Sequence, residues 1–193
     1  MFNYDKKDVV SIAKANDFLV NNTEKVLRLS KILNYICNIE YGKYLCLKGG
    51  TAINLFILDL PRLSVDIDFD FSFDCSKDEM IKIRERIKED IINYMLMEEY
   101  DLANNTKYTH SLDSFVFSYN TTSASRDNLK IEINYSNRVH AIKTILQKRS
   151  ITMCGDVFTY CLSFDELIGS KVNALIARTT PRDVYDTYNL LKL

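Results

Sequence analysis

Proline and glycine are scarce, 2 and 5 in 193 residues, and tryptophan is absent. That excludes collagen-like and low-complexity chains, and with 47% hydrophobic and 26% charged residues the composition is that of a folded globule. No stretch approaches the ~18 apolar residues of a membrane span. The start, Met1 to Asp8, lacks a basic region leading into an apolar one, so neither insertion nor secretion is expected. The five cysteines (Cys37, Cys46, Cys75, Cys154, Cys161) are odd in number, widely spaced and without a Cys-x-x-Cys pair. This argues against a disulfide framework and a thiolate zinc site, and fits a reducing, cytoplasmic setting. An excess of one charge is missing too: 25 Lys and Arg stand against 26 Asp and Glu, net -1, so a nucleic acid would have to be held by a local patch. No repeat or linker marks a boundary, and one domain is expected over 1–193, with helical ends at 1–40 and 163–193 around a sheet core at 44–161.

What is present is periodicity. Apolar residues recur at helical spacing over 8–20 and again over 24–39, through Val26, Leu29, Leu33 and Ile36. Tyr44 to Lys48 reads as a strand, Gly49-Gly50 as a turn, and Thr51 to Ile57 as a helix broken before Pro61. Ser64 to Phe71 alternates apolar and acidic residues, as a strand with one buried face does. Ser76-Lys77-Asp78-Glu79 is a capping box opening a helix to about Glu99, and Ser163 to Glu166 is a second one. Residues 114–119 and 129–135 read as adjacent antiparallel strands, and 157–161 as another. Thr180-Pro181 opens a last helix.

Two neighbouring features carry chemistry. Glycines at Gly49 and Gly50 let a backbone approach a phosphate closely, and the amides and dipole of the following helix favour that anion, so a triphosphate fits there. Asp66 and Asp68, two apart on a strand, point the same way, and two such charges a few Å apart repel by ~4 kcal/mol at an effective dielectric near 20. The pair calls for a cation, and Mg²⁺, which prefers carboxylate and phosphate oxygens, suits it best, with Mn²⁺ as the alternative.

Leu47-Lys48-Gly49-Gly50-Thr51-Ala52 followed by Arg62-Leu63-Ser64-Val65-Asp66-Ile67-Asp68 resembles the glycine pair and Asp-x-Asp of the nucleotidyltransferase superfamily. It is more closely similar to the AbiEii/AbiGii toxin family, with its Lys-Gly-Gly-Thr-Ala and Arg-x-Ser-x-Asp-Ile-Asp. Lys171 to Arg178 and Arg182-Asp183-Val184-Tyr185-Asp186 resemble that family's Lys-x-x-Ala-x-x-x-Arg and Arg-Asp-x-x-Asp segments. The resemblance implies an α+β nucleotidyltransferase fold, a mixed sheet flanked by helices with helical N- and C-terminal segments. It also implies a toxin of a toxin–antitoxin or phage-defence system that moves an NMP from an NTP to an acceptor, often the 3′ end of tRNA, with an antitoxin as partner.

On this footing Asp66 and Asp68 are the metal ligands and Gly49, Gly50 and Thr51 the phosphate cradle. Ser64 either binds phosphate or caps the turn after Pro61; Arg62 either contacts phosphate or pairs with an acid; Lys48 reads as a surface charge at a strand end. Glu132, in Lys130-Ile131-Glu132-Ile133, has the form of a third carboxylate on a neighbouring strand, though plain exposure explains it equally. Lys171 and Arg178, two helical turns apart, share a face on which cations can neutralise a triphosphate. Asp183 is either a further catalytic carboxylate or a structural one, since it falls at N3 of the last helix, where helix-end amides favour an acid regardless of catalysis. Asp186 is the expected catalytic carboxylate, orienting Lys171 or activating the acceptor hydroxyl, with an ion pair to Arg182 as its structural alternative. Arg138, His140, Lys143, Lys148 and Arg149, near Tyr135, form either an RNA-contacting patch or a charged surface helix. Transfer to a small molecule or protein hydroxyl, or nucleotide binding with little turnover, are the competing functions.

Overall fold

A computed structural model describes residues 2–178 and 180–193. Helix α1 (Lys6–Ala15) is opened by a reciprocal cap: Asp5 accepts from the Asp8 amide at 2.9 Å while Asp8 accepts from the Asp5 amide at 3.0 Å. The chain then turns at Asp17, φ 56°, and α2 (Val20–Asn38) follows, so both N-terminal helices begin earlier than apolar periodicity alone places them. A short 3₁₀ turn (Gly42–Tyr44) feeds β1 (Leu45–Lys48). The next helix is not regular: α3 (Gly49–Ala52) widens into a π turn over Ile53–Ile57. The remaining elements are β2 (Asp66–Phe71), α4 (Lys77–Met97), β3 (Asp101–Leu102), β4 (Lys107–Tyr108), β5 (Leu112–Asn120), β6 (Arg126–Asn134), β7 (Ile145–Ile151), β8 (Gly155–Cys161), α5 (Phe164–Arg178) and α6 (Pro181–Leu190).

The strands form one mixed sheet in the order β3-β5-β6-β2-β1-β8-β7, with β4 also paired to β5. β1 runs antiparallel to β2 and parallel to β8; β2 runs parallel to β6, and β5 antiparallel to β6. Period-two alternation sorts the side chains into two faces. Leu45, Leu47, Ile67, Phe69, Phe71, Phe115, Phe117, Ile131 and Ile133 are buried on one, where Leu29, Leu33 and Ile36 of α2 and Ile83, Ile87, Ile91 and Met95 of α4 complete the core. Asp66, Asp68, Lys130 and Glu132 stand on the other face, which is therefore free to carry a site.

The basic segment after β6 is no helix and no continuous patch. Lys148 and Arg149 lie on β7, where Lys148 faces Asp156 at 4.0 Å and Arg149 pairs with Asp59 at 3.0 Å. Arg138 donates to the Cys75 carbonyl at 2.9 Å, the His140 side chain is buried beside Glu166, and Tyr135 is buried against Phe71. Arg138, His140 and Arg149 are thus committed locally, whereas Lys143 and Lys148 are exposed. Of the two capping boxes only the serine halves form among the described residues: Ser76 and Ser163 accept the amides of Glu79 and Glu166 at 3.2 and 3.3 Å. The Glu166 carboxylate instead accepts the Ala141 amide at 2.8 Å.

One buried ion pair clamps α4 to the sheet. Arg84 donates to both oxygens of fully buried Asp113, at 3.0 and 2.5 Å, and to the carbonyls of His110 and Thr109 at 3.0 and 2.6 Å. Removing one partner leaves an uncompensated buried charge, so Arg84→Met is expected to cost about 3–5 kcal/mol in urea denaturation. A loss under about 1 kcal/mol, the range of exposed pairs, would contradict the clamp.

Candidate active site

The register of β2 builds the site. Asp68 stands opposite Lys48 of β1 and opposite Glu132 of β6, and Asp66 opposite Lys130, so the candidate carboxylates meet on one face across two strands. Together with Gly50, Arg62, Ser64, Lys171, Arg178 and Asp183 they line a cleft of about 350 Å³. Lys130, Thr180 and Arg182 also border it. Lys130 was legible as a site residue from its place two before Glu132 on the same strand face.

The glycine turn fits tightly against this row. Gly49 adopts φ 69°, a conformation that favours glycine, and a Cβ there would stand 3.1 Å from an Asp68 carboxylate oxygen. A Cβ on Gly50 would lie 3.0 Å from both the Arg62 guanidinium and the Ser64 hydroxyl. Thr51, assigned to phosphate from the sequence, is buried, and its hydroxyl donates to the Asp66 carbonyl. It thus pins the turn to the start of β2 and is absent from the cleft lining. Ser64 precedes the strand, which begins at Asp66, yet still borders the cleft.

Helices α5 and α6 close the other side. Lys171, 7% exposed, sits between two acids of α6, 3.2 Å from Asp183 and 3.0 Å from Asp186. Asp183 occupies N3 after its cap Thr180, as expected, but it also accepts from Arg178 at 2.8 and 3.0 Å. Those Arg178 bonds, aided by Thr180 and Lys171, hold its carboxyl well below the usual range. Asp186 is fully buried and does not line the cleft; its partners are Lys171 and Arg62, which donates at 2.8 and 2.6 Å, and not Arg182. Burial acts to raise the Asp186 pKa, but Arg62 and Lys171 outweigh it. Arg62 thereby both borders the cleft and pairs with an acid.

The carboxylates are in tension. Burial, then the charges of Glu132 and Asp66, push Asp68 up to about 6 from an ordinary 3.8. Hard oxygen donors that repel one another suit a divalent cation. Glu132 is engaged by Lys130 at 2.8 Å, and among the described residues no three His, Cys, Asp or Glu side chains form a ready metal cage. The chemistry that fits Mg²⁺ therefore lies with Asp66 and Asp68, with Glu132 adjacent. Asp70, next on the same face, is taken by Lys48 at 2.6 Å and by Asn134 and Asn137 at 2.8 and 3.3 Å. Lys48 is thus not a loose surface charge.

Sheet, helices and cleft together have the form of a nucleotidyltransferase fold. A profile of the nucleotidyl transferase AbiEii toxin, type IV toxin–antitoxin system, matches residues 31–193, and the chain belongs to that family. No curated protein matches the chain. Membership makes it a transferase of nucleotidyl groups and implies an NTP substrate and an antitoxin partner. No helix among the described residues is long and apolar enough to cross a membrane.

A pKa raised on folding means that the native protein binds more protons than the unfolded chain between the two values, so stability is lost as pH rises through that window. In chelator, Asp68→Asn is expected to stabilise the protein by roughly 1–3 kcal/mol near pH 8, with the gain vanishing below about pH 4. Urea denaturation at both pH values checks this; no gain near pH 8 refutes the cost of burying the Asp68 charge beside Glu132 and Asp66.

Proposed function

We propose that this protein transfers an NMP from an NTP to an RNA acceptor, the 3′ end of tRNA, in a Mg²⁺-dependent reaction, with Mn²⁺ as a substitute. As a toxin it would act in the cytoplasm in phage defence by abortive infection. The observation that carries the reading is the single cleft that joins the Gly50 turn, the Asp66–Asp68–Glu132 face and the Lys171–Arg178 wall.

Asp66 and Asp68 would hold the divalent ion, which would neutralise triphosphate charge and make the α-phosphorus more electrophilic. Gly50 and Ser64 receive the phosphates, and Arg62, Lys171 and Arg178 stabilise the charge that builds on the leaving group. The acceptor hydroxyl oxygen bonds to the α-phosphorus, the bond from that phosphorus to the β-phosphate oxygen breaks, and pyrophosphate departs with the electron pair. The hydroxyl proton goes to Glu132. Asp186 touches none of the reacting atoms in this scheme; it positions Lys171 and Arg62, and Asp183 positions Lys171 and Arg178.

The test incubates the protein with each α-labelled NTP, Mg²⁺ or Mn²⁺ and total cellular RNA, and reads label on a denaturing gel. A labelled tRNA-sized band that is lost in Asp66→Ala is the expected outcome. Label on protein or a small product moves the acceptor to another hydroxyl, and NTP binding without transfer to any acceptor makes the chain a binding module. Lys171→Ala should lower the rate by about 10²-fold or more, as removal of one charge-stabilising donor does. Asp186→Asn should cost about 10–100-fold, the range of second-layer supports, and fall mainly on kcat. Equal activity in Asp186→Asn and the parent would remove it from the machinery.

A further inference from the structure

The polar face of the sheet does not end at the cleft. A second cavity, of about 570 Å³, continues from it, and Asp66, Lys130 and Glu132 line both. Its remaining walls come from β4, β5, β6 and the segment between β3 and β4, including Asn105, Lys107, Ser114 and Asn128, and no residue of α5 or α6 borders it. The register places Lys107 opposite Ser114, Ser114 opposite Glu132, and Glu132 opposite Asp68. These four form one straight row across neighbouring strands. Lys107 makes no ion pair among the described residues and lies on an exposed strand.

Displacement at phosphorus is in line, so the nucleophile enters opposite the leaving group. The groups assigned to the leaving pyrophosphate, namely Gly50, Arg62, Lys171 and Arg178, all lie on the α3 and α5–α6 side of the carboxylates. Entry from the opposite side leads along the groove over β6, β5 and β4. Small-molecule pockets are mostly apolar with a few polar groups. In this groove Leu112 and Val116 stand beside eight polar or charged residues, whose lysine, amide and hydroxyl groups include the donors that phosphates and sugars use.

We propose, building on the transferase reading above, that this groove is the acceptor channel and that it holds the single-stranded 3′ end of an RNA, with Lys107 on a backbone phosphate and Asn128 on the strand beside it. Lys107 stands three strand spacings, ~14 Å, from Asp68. That distance is about four nucleotides of stacked strand at ~3.4 Å each. A contact so far from the reacting hydroxyl is made by a long acceptor and missed by a dinucleotide.

The test measures NTP binding and steady-state transfer with two acceptors, the dinucleotide CpA and a single-stranded oligoribonucleotide of about twelve residues ending in CCA. The parent protein is compared with Lys107→Glu, Asn128→Asp and, as a control on α1, Lys7→Glu. Lys107→Glu and Asn128→Asp are expected to raise the long acceptor's KM about tenfold while the KM values for CpA and NTP hold, and Lys7→Glu to change nothing. Lys107→Ala should make the salt dependence of binding of the long acceptor shallower by about 0.7 in log–log slope, the value of one lost single-strand phosphate contact. Equal effects on both acceptor lengths, or none, overturn the channel and leave the transferase standing. Transfer confined to folded tRNA, with neither oligonucleotide used, overturns the single-strand assignment. NTP binding with no transfer to any acceptor overturns the transferase reading and the channel with it.

Discussion

The arrangement depends on like charges held on one strand face. Asp66, Asp68 and Glu132 are placed by backbone ladders that cannot relax without giving up the buried aromatic face of the same strands. Because Ile67, Phe69 and Phe71 face the core, a one-residue slip of β2 would expose them and bury the acids, so the packing that stabilises the fold also enforces the repulsion. The core offsets the site's electrostatic cost, and Asp68, raised to about 6, records what is being offset.

The second organising element is the C-terminal hairpin of helices, which adds a set of ion pairs to its apolar anchors Leu167 and Leu190. Arg62 reaches Asp186 from the loop before β2, and Lys171 bridges the two acids of α6. The side chains that would act on a triphosphate are the same ones that seat α5 and α6 against the sheet. An anion entering the cleft therefore competes with Asp183 and Asp186 for Lys171 and Arg62, and the hairpin's seating and the filling of the cleft are coupled.

Much of this could be read from residues alone, and what could not has a common cause. Local signals survived: the alternation through Asp66 to Phe71, the cap at Ser76, Thr180 with Pro181, and the shared face of Lys171 and Arg178. Glu132 could be named because the resemblance implies a third carboxylate on a neighbouring strand; periodicity alone left plain exposure equally good, and pairing with β2 set it opposite Asp68. The failures are contacts of long range or elements without pattern. Arg62 and Asp186 are 124 positions apart, and no spacing rule joins them. Strands β3 and β4 are two residues each, too short to alternate, and exist because β5 offers them an edge. β7 carries charge on a surface strand, which a composition-based reading takes for a helix or a patch. Thr51 sits within the phosphate-type motif yet serves a carbonyl, a distinction made only by where β2 begins.

The aspartates of β2 number three on one face, not two, and the third has a different fate. Asp70 is enclosed by Lys48, Asn134 and Asn137, so its charge is spent before any solute arrives. An unblocked run of this kind would offer two equivalent berths for a cation, one between the first and second acids and one between the second and third. They would lie a two-residue step of ~6.6 Å apart along the strand. Only the first adjoins the cleft. Lys48 therefore acts as an address marker: a repeating strand pattern, which by itself cannot say where along its length chemistry should occur, is reduced to a single location.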